Sequence, residues 1–164
     1  MALFPQLDET AIFLSRTDVD EPLSTYAKYG FHLEGKDWPS VAHYFHAMKF
    51  SDDGYQEKIL QADSPKKATR LGRSRLHKIR GDWSAVKATV MTRAVYTKCR
   101  QHQEVADLLL ATEDRQIIED NSYDYFWGCG RDRRGENTYG KVLMSVRKKL
   151  REEAKVNEAK AEKE

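Results

Sequence analysis

The chain is poor in the features that define several large protein classes. Only two of its 164 residues are cysteine, Cys99 and Cys129. Two cysteines exclude a disulfide scaffold and suit free thiols in a reducing, cytoplasmic setting. Long apolar runs are missing too. The longest, as at Leu108-Leu109-Leu110, are a few residues, so no membrane span is expected. The start, Met1-Ala2-Leu3-Phe4-Pro5, has no basic region followed by an apolar stretch, and no secretory leader is expected. GxSxG, P-loop, GxGxxG, HExxH and CxxC patterns are all absent. Serine hydrolase, NTPase, dinucleotide oxidoreductase and zinc readings therefore lack support, and neither cofactor nor metal is expected.

What is present argues for one folded domain. Three Trp, eight Tyr and six Phe give the chain enough to bury, and mean hydropathy is −0.77. Lys and Arg number 28 against 26 Asp and Glu, a formal net charge of +2 that hides an uneven distribution. Between Asp63 and Asp82 there is no acid, while Lys66, Lys67, Arg70, Arg73, Arg75, Lys78 and Arg80 supply seven fixed positive charges. Such a stretch is either a solvated basic face or a site for an anion such as phosphate or nucleic acid.

Local signals predict a mainly helical α+β domain with a small β element. A short strand is expected at 10–16, and a hairpin at 30–38 with Gly35 in its turn. Ser40 is placed as N-cap of a helix running to about Phe50. Further helices are expected over 54–61, from Ser64-Pro65 to Gly72, over 83–100, and over 104–111. In the helix over 83–100, Trp83, Val86, Val90, Met91, Ala94, Val95, Tyr96 and Cys99 define an apolar face. A strand is expected at 116–119 and a Gly-rich aromatic loop over 121–138. Asn137-Thr138 is read as the cap of a last helix with Val142, Leu143, Val146 and Leu150 facing inward. Residues 1–150 form the domain, and the Ala, Glu and Lys tail over 151–164 is read as frayed helix or disordered.

The segment Asp124-Tyr125-Phe126-Trp127-Gly128-Cys129-Gly130-Arg131 is the most unusual. Its glycines permit close approach of backbone to a ligand, and its aromatics suit stacking on a planar base. The competing reading is a structural loop whose aromatics plug the core. Asp82-Trp83 is a second carboxylate–aromatic pair. Basic residues, aromatics and a few carboxylates together suit a nucleotide-like ligand, with phosphate on Arg and Lys, the base on Trp or Tyr, and an acid at the sugar. His43 and His46 share a helix face but lack further metal ligands, so packing or hydrogen bonding is expected of them. Cys129 has no histidine that can be placed beside it, and a catalytic thiol is not favoured.

Several motifs, in order, resemble the NADAR, or YbiA-like, family. They are Gly35-Lys36-Asp37-Trp38-Pro39-Ser40, His43-Tyr44-Phe45-His46-Ala47-Met48-Lys49-Phe50, Gly72-Arg73 and Asp82-Trp83 with Lys87, Val90 and Met91. Lys98, Leu108-Leu109-Leu110-Ala111-Thr112, Asp124 with Trp127-Gly128, and Gly135-Glu136-Asn137 with Gly140, Leu143-Met144 and Arg147 follow. The match spans about residues 10–150. The resemblance implies a hydrolase of N-ribosyl bonds in a guanine-like, phosphate-bearing small molecule. Its substrate would be an early riboflavin-pathway intermediate, releasing ribose 5-phosphate, or ADP-ribosylated guanine, including that of a nucleic acid. A non-catalytic module binding ADP-ribose or a nucleotide is the alternative, and a nucleic-acid-binding protein using the 66–80 stretch is another.

Cleaving a C1–N bond builds oxocarbenium character on the ribose, which a nearby carboxylate stabilises while activating water. A lysine amine could instead form a Schiff base with C1 of the opened sugar, and Lys36 and Lys49 stand at motif positions for that role. The family motif reads Ser-x-Glu-His-Tyr-Phe, whereas this chain has Ser40-Val41-Ala42-His43-Tyr44-Phe45. Ala42 thus stands where the resemblance implies the catalytic Glu. It is read as a crippling Glu→Ala change, with a natural binding-only chain or the use of Asp124 or Asp82 as the other readings. The resemblance also places Asp124 at the sugar, Trp83 and Trp127 at the base and Arg73 at phosphate. Lys36, His43, Tyr44, Gly128 and Asn137 complete the expected binding set. Leu23-Ser24-Thr25-Tyr26 departs from the family's Phe-Ser-Asn-Phe and puts one polar contact in doubt.

Overall fold

The computed structural model describes residues 9–164, which form a mainly helical α+β fold. Two compact units divide them: Arg16–His102 is one, and residues 9–15 with Gln103–Glu164 are the other.

The Arg16–His102 unit opens with a hairpin, β2 (Phe31–Leu33) antiparallel to β3 (Lys36–Trp38). Its two-residue turn, Glu34-Gly35, has both φ angles positive, at 55° and 79°. That is the turn geometry matching the twist of a strand pair, and it explains the glycine. Helix α1 (Val41–Ala47) starts where expected, with Ser40 Oγ accepting from the His43 amide. Asp52 caps α2 (Asp53–Leu60) through the Tyr55 amide, and Ser64 caps α3 (Pro65–Gly72) through the Lys67 amide with proline in the first turn. Helix α4 (Trp83–Gln101) completes the unit. Helix α1 packs on α2, α3 and α4, with Trp38, Tyr44, Phe50, Ile59 and Met91 in the core. Val86 and Tyr96 are only partly buried on α4, whereas Lys98 is buried with the apolar residues.

In the other unit, β1 (Ile12–Leu14) lies parallel to β4 (Ile117–Glu119), with Ile12 opposite Ile117. Among the described residues there are thus two separate two-stranded sheets. Helix α5 (Gln103–Leu110) packs on α6 (Thr138–Glu162), and α6 packs on β4. Val142, Leu143, Val146 and Leu150 are all buried, and α6 continues through the charged tail to Glu162. Among the described residues no helix is long and apolar enough to cross a membrane.

Candidate functional site

Ala42 and His46 are four residues apart on α1 and so share one helix face. Ala42 is 2% exposed, and its amide donates to the Thr25 carbonyl (3.0 Å). Thr25 is itself fixed, its amide and hydroxyl both donating to the Arg16 carbonyl at 2.9 and 2.8 Å. Tyr26 uses the hydroxyl that distinguishes it from Phe to bond Thr69 Oγ1 (2.9 Å). The variant Leu23-Ser24-Thr25-Tyr26 strap is therefore well bonded, with the Thr25 hydroxyl turned to backbone.

His46 packs against Gly72 at the end of α3, and its Nδ1 is shielded from solvent with no hydrogen-bond partner among the described residues. Burial holds its pKa down at about 3, helped by the charges of Lys49, Arg16 and Arg73. Lys49, just beyond α1, donates from Nζ to the Gly72 carbonyl (2.9 Å). Its pKa is lowered by burial and by Arg73 and Lys87. The leading charges acting on both groups are all cations. A neutral imidazole, a half-buried amine and the guanidinium groups of Arg16 and Arg73 form a setting that favours an anion. Phe45 and Trp83 lie beside it. Phe45 meets Trp83 with ring centroids 5.0 Å apart, and meets His46 at 5.2 Å.

Other predicted residues of this unit have structural partners. His43 Nε2 donates to the Ala62 carbonyl (3.0 Å), leaving Nδ1 to accept from the Ser40 hydroxyl 2.7 Å away. Hydrogen bonding is the role the sequence pattern favoured for it. Tyr44 donates to Glu34 Oε1 (3.0 Å), which also receives Arg93 Nη1 (3.1 Å), and burial raises the phenol to about 12. Lys36 pairs with Glu57 (3.3 Å) rather than joining Lys49. Asp82 is exposed and held by Arg80 at 2.6 and 2.9 Å. Trp83 is nearly buried, so its ring is a wall and not an open stacking platform.

The aromatic loop of the other unit is stitched onto β4. Asp124 Oδ1 accepts from the Phe126 and Trp127 amides at 3.0 and 2.7 Å, an Asx turn that spends one carboxylate oxygen on backbone. Trp127 is buried, edge-on to Phe126. Gly128 closely approaches Glu119: a Cβ there would lie 2.6 Å from Glu119 Oε2. Asn137 makes no side-chain cap to α6. It sits at φ 52°, with Oδ1 accepting from the Glu119 amide (2.8 Å) and Nδ2 donating to the Ile117 carbonyl (2.9 Å). Cys129 is buried with Sγ 3.5 Å from the Gly130 carbonyl.

Sequence reasoning gave His46 only a packing or hydrogen-bonding role, and it missed Arg16 and the close approach at Gly72. The spacing of His46 from Ala42 was the one local signal; the other two are tertiary.

Comparison with known proteins gives a consistent match. The NADAR domain family profile covers residues 6–151. N-glycosidase YbiA of Escherichia coli (strain K12) is 39% identical over 138 residues, 84% of this chain and 86% of that protein. Riboflavin biosynthesis protein VVA0006 of Vibrio vulnificus is 38% identical over 135 residues, 82% of this chain but 37% of that protein. The NMR structure of E. coli YbiA superposes with a TM-score of 0.80 at 36% identity, covering 94% of this chain and 95% of the other.

Proposed function

Because the chain belongs to the NADAR domain family, we propose that it binds a phosphate-bearing N-ribosyl substrate, with turnover throttled by alanine at position 42. The relatives are N-glycosidases and riboflavin biosynthesis proteins by name, which favours an amino-pyrimidine ribosyl phosphate as the substrate class. The observation that carries the reading is the cationic surround of His46 and Lys49, on the helix face that also carries Ala42.

Each part has a physical role. Arg16, Arg73 and Lys87 neutralise the phosphate that Lys49 orients. Phe45 and Trp83 wall the base. As the C1–N bond lengthens, positive charge grows on the ribose, and the leaving nitrogen takes a proton. A carboxylate at position 42 would stabilise that charge and accept the proton of the attacking water. Alanine does neither, so ground-state binding survives while the barrier rises. Lys49 offers the other route, since its lowered pKa raises the share of free amine that could attack C1 of the opened ring and expel the base. A binding-only nucleotide module is the second reading, and the methyl side chain of Ala42 is what favours it.

The test follows base release from the amino-pyrimidine ribosyl phosphate and from ADP-ribosylated guanosine, with this chain and with Ala42→Glu. Release by Ala42→Glu and not by the parent is expected, the faster substrate naming the class. No release by either protein from either substrate would leave the binding module.

A further inference from the structure

The acid-free stretch holds two kinds of cation. Arg80 is spent on Asp82 through both carboxylate oxygens. Lys66, Lys67, Arg70, Arg73, Arg75 and Lys78 are all exposed, and none forms an ion pair with a described carboxylate. Elsewhere Lys36, Arg93 and Arg151 each have a carboxylate partner, while Lys58 and Lys141 are exposed without one among the described residues; the stretch differs in grouping six such cations together. Helix α3 gives the first four a common side. Residues 66, 70 and 73 fall at helical spacing, with 67 beside 70, while Ala68 and Gly72 face the core. At 1.5 Å per residue, positions 66 to 73 span about 10 Å. Arg75 and Lys78 extend the row into the following loop. The row's Arg73 also acts on His46 and Lys49, so the stripe runs into the anion site.

From this geometry we infer that the α3 stripe is a docking surface for the sugar–phosphate backbone of a nucleic-acid strand. A single small phosphate needs only the His46–Lys49 cluster. Six unpaired cations leading to it match a repeating anion. Insertion into a lipid surface is poorly served, since Leu76, 93% exposed, is the one large apolar side chain fully presented by this loop. Contacts to phosphate carry no base readout, so binding is indifferent to sequence and steep in salt. The surface works whether or not the N-ribosyl bond is cleaved.

The test measures fluorescence anisotropy of a dye-labelled single-stranded oligonucleotide titrated with the full chain across a salt series. Six contacts predict a slope of log K against log salt of about −4, or a few hundredfold loss between about 50 and about 200 mM salt. Lys66→Glu/Lys67→Glu/Arg70→Glu should weaken binding at least about tenfold and bring the slope to about −2. Lys155→Glu/Lys160→Glu, in the tail of α6, should bind as the parent does. Calorimetric affinity for ribose 5-phosphate should be unaltered in the triple variant, which separates this surface from the His46–Lys49 site. The inference is overturned by a shallow slope, by parental binding in the triple variant, or by capture on phosphatidylserine vesicles without oligonucleotide binding.

Discussion

His46 and Gly72 are in direct contact: a Cβ built at position 72 would lie 2.3 Å from His46 Nδ1. This contact brings the end of α3 against α1 and delivers the Gly72 carbonyl to Lys49. Gly72→Ala should therefore be destabilising by about 1–3 kcal/mol through overpacking. Helix propensity alone argues the other way, a gain of up to about 1 kcal/mol. Urea unfolding midpoints distinguish the two, and a raised midpoint would contradict the contact.

His46 makes a prediction about acid. Its folded pKa of about 3 lies below the ordinary 6.5, so the unfolded state binds the extra proton first. Its stabilising contribution is fully present above pH 6.5 and is lost as pH falls from 6.5 toward 3. His46→Gln should flatten that part of the stability–pH curve. By NMR the parent's His46 ring should keep its neutral signature at pH 5.

Lys98 gives the opposite end of the scale. Buried on α4, it donates to the Pro22 and Ser24 carbonyls at 2.5 and 2.9 Å. Burial lowers its pKa to about 8 from 10.5, so the unfolded state holds more protons between those values. Its contribution to stability should rise with pH from 8 to 10.5. Lys98→Met should abolish that rise and cost roughly 1–3 kcal/mol at neutral pH by stranding two carbonyls. Denaturant midpoints across that window check both.

The two lysines at motif positions should behave differently. Lys36 and Glu57 are both well exposed, and a pair of that kind is screened by water. Lys36→Met should leave the unfolding midpoint and phosphate affinity as they are. Lys49→Met removes a half-buried donor from the anion cluster and should lower phosphate affinity. Parallel calorimetric titrations of the two variants with inorganic phosphate read the difference.

Features written in neighbouring residues were legible in the sequence. Ser40, the Ser64-Pro65 start and Gly35 act within four positions of themselves, and each sits where local chemistry puts it. The family was legible too, because its motifs extend through nearly the whole chain. Features that depend on distant backbone were not. Lys98 looks like a surface charge until the Pro22 and Ser24 carbonyls meet it. Asn137 has the composition of a cap, yet its side chain bridges to β4, twenty positions away at Ile117. At Gly128 the close approach to Glu119 is likewise tertiary and has no local signal. Lys36 and Lys49 carry equal motif weight, and only the packing of α1 on α3 separates them.

Calorimetric titration of ribose 5-phosphate into this chain and into Arg73→Met, at one fixed ionic strength, tests the central claim most directly. Loss of a charge-assisted contact predicts at least about tenfold weaker binding for Arg73→Met. Equal affinities, or no binding to the parent chain, would contradict an anion site between α1 and α3.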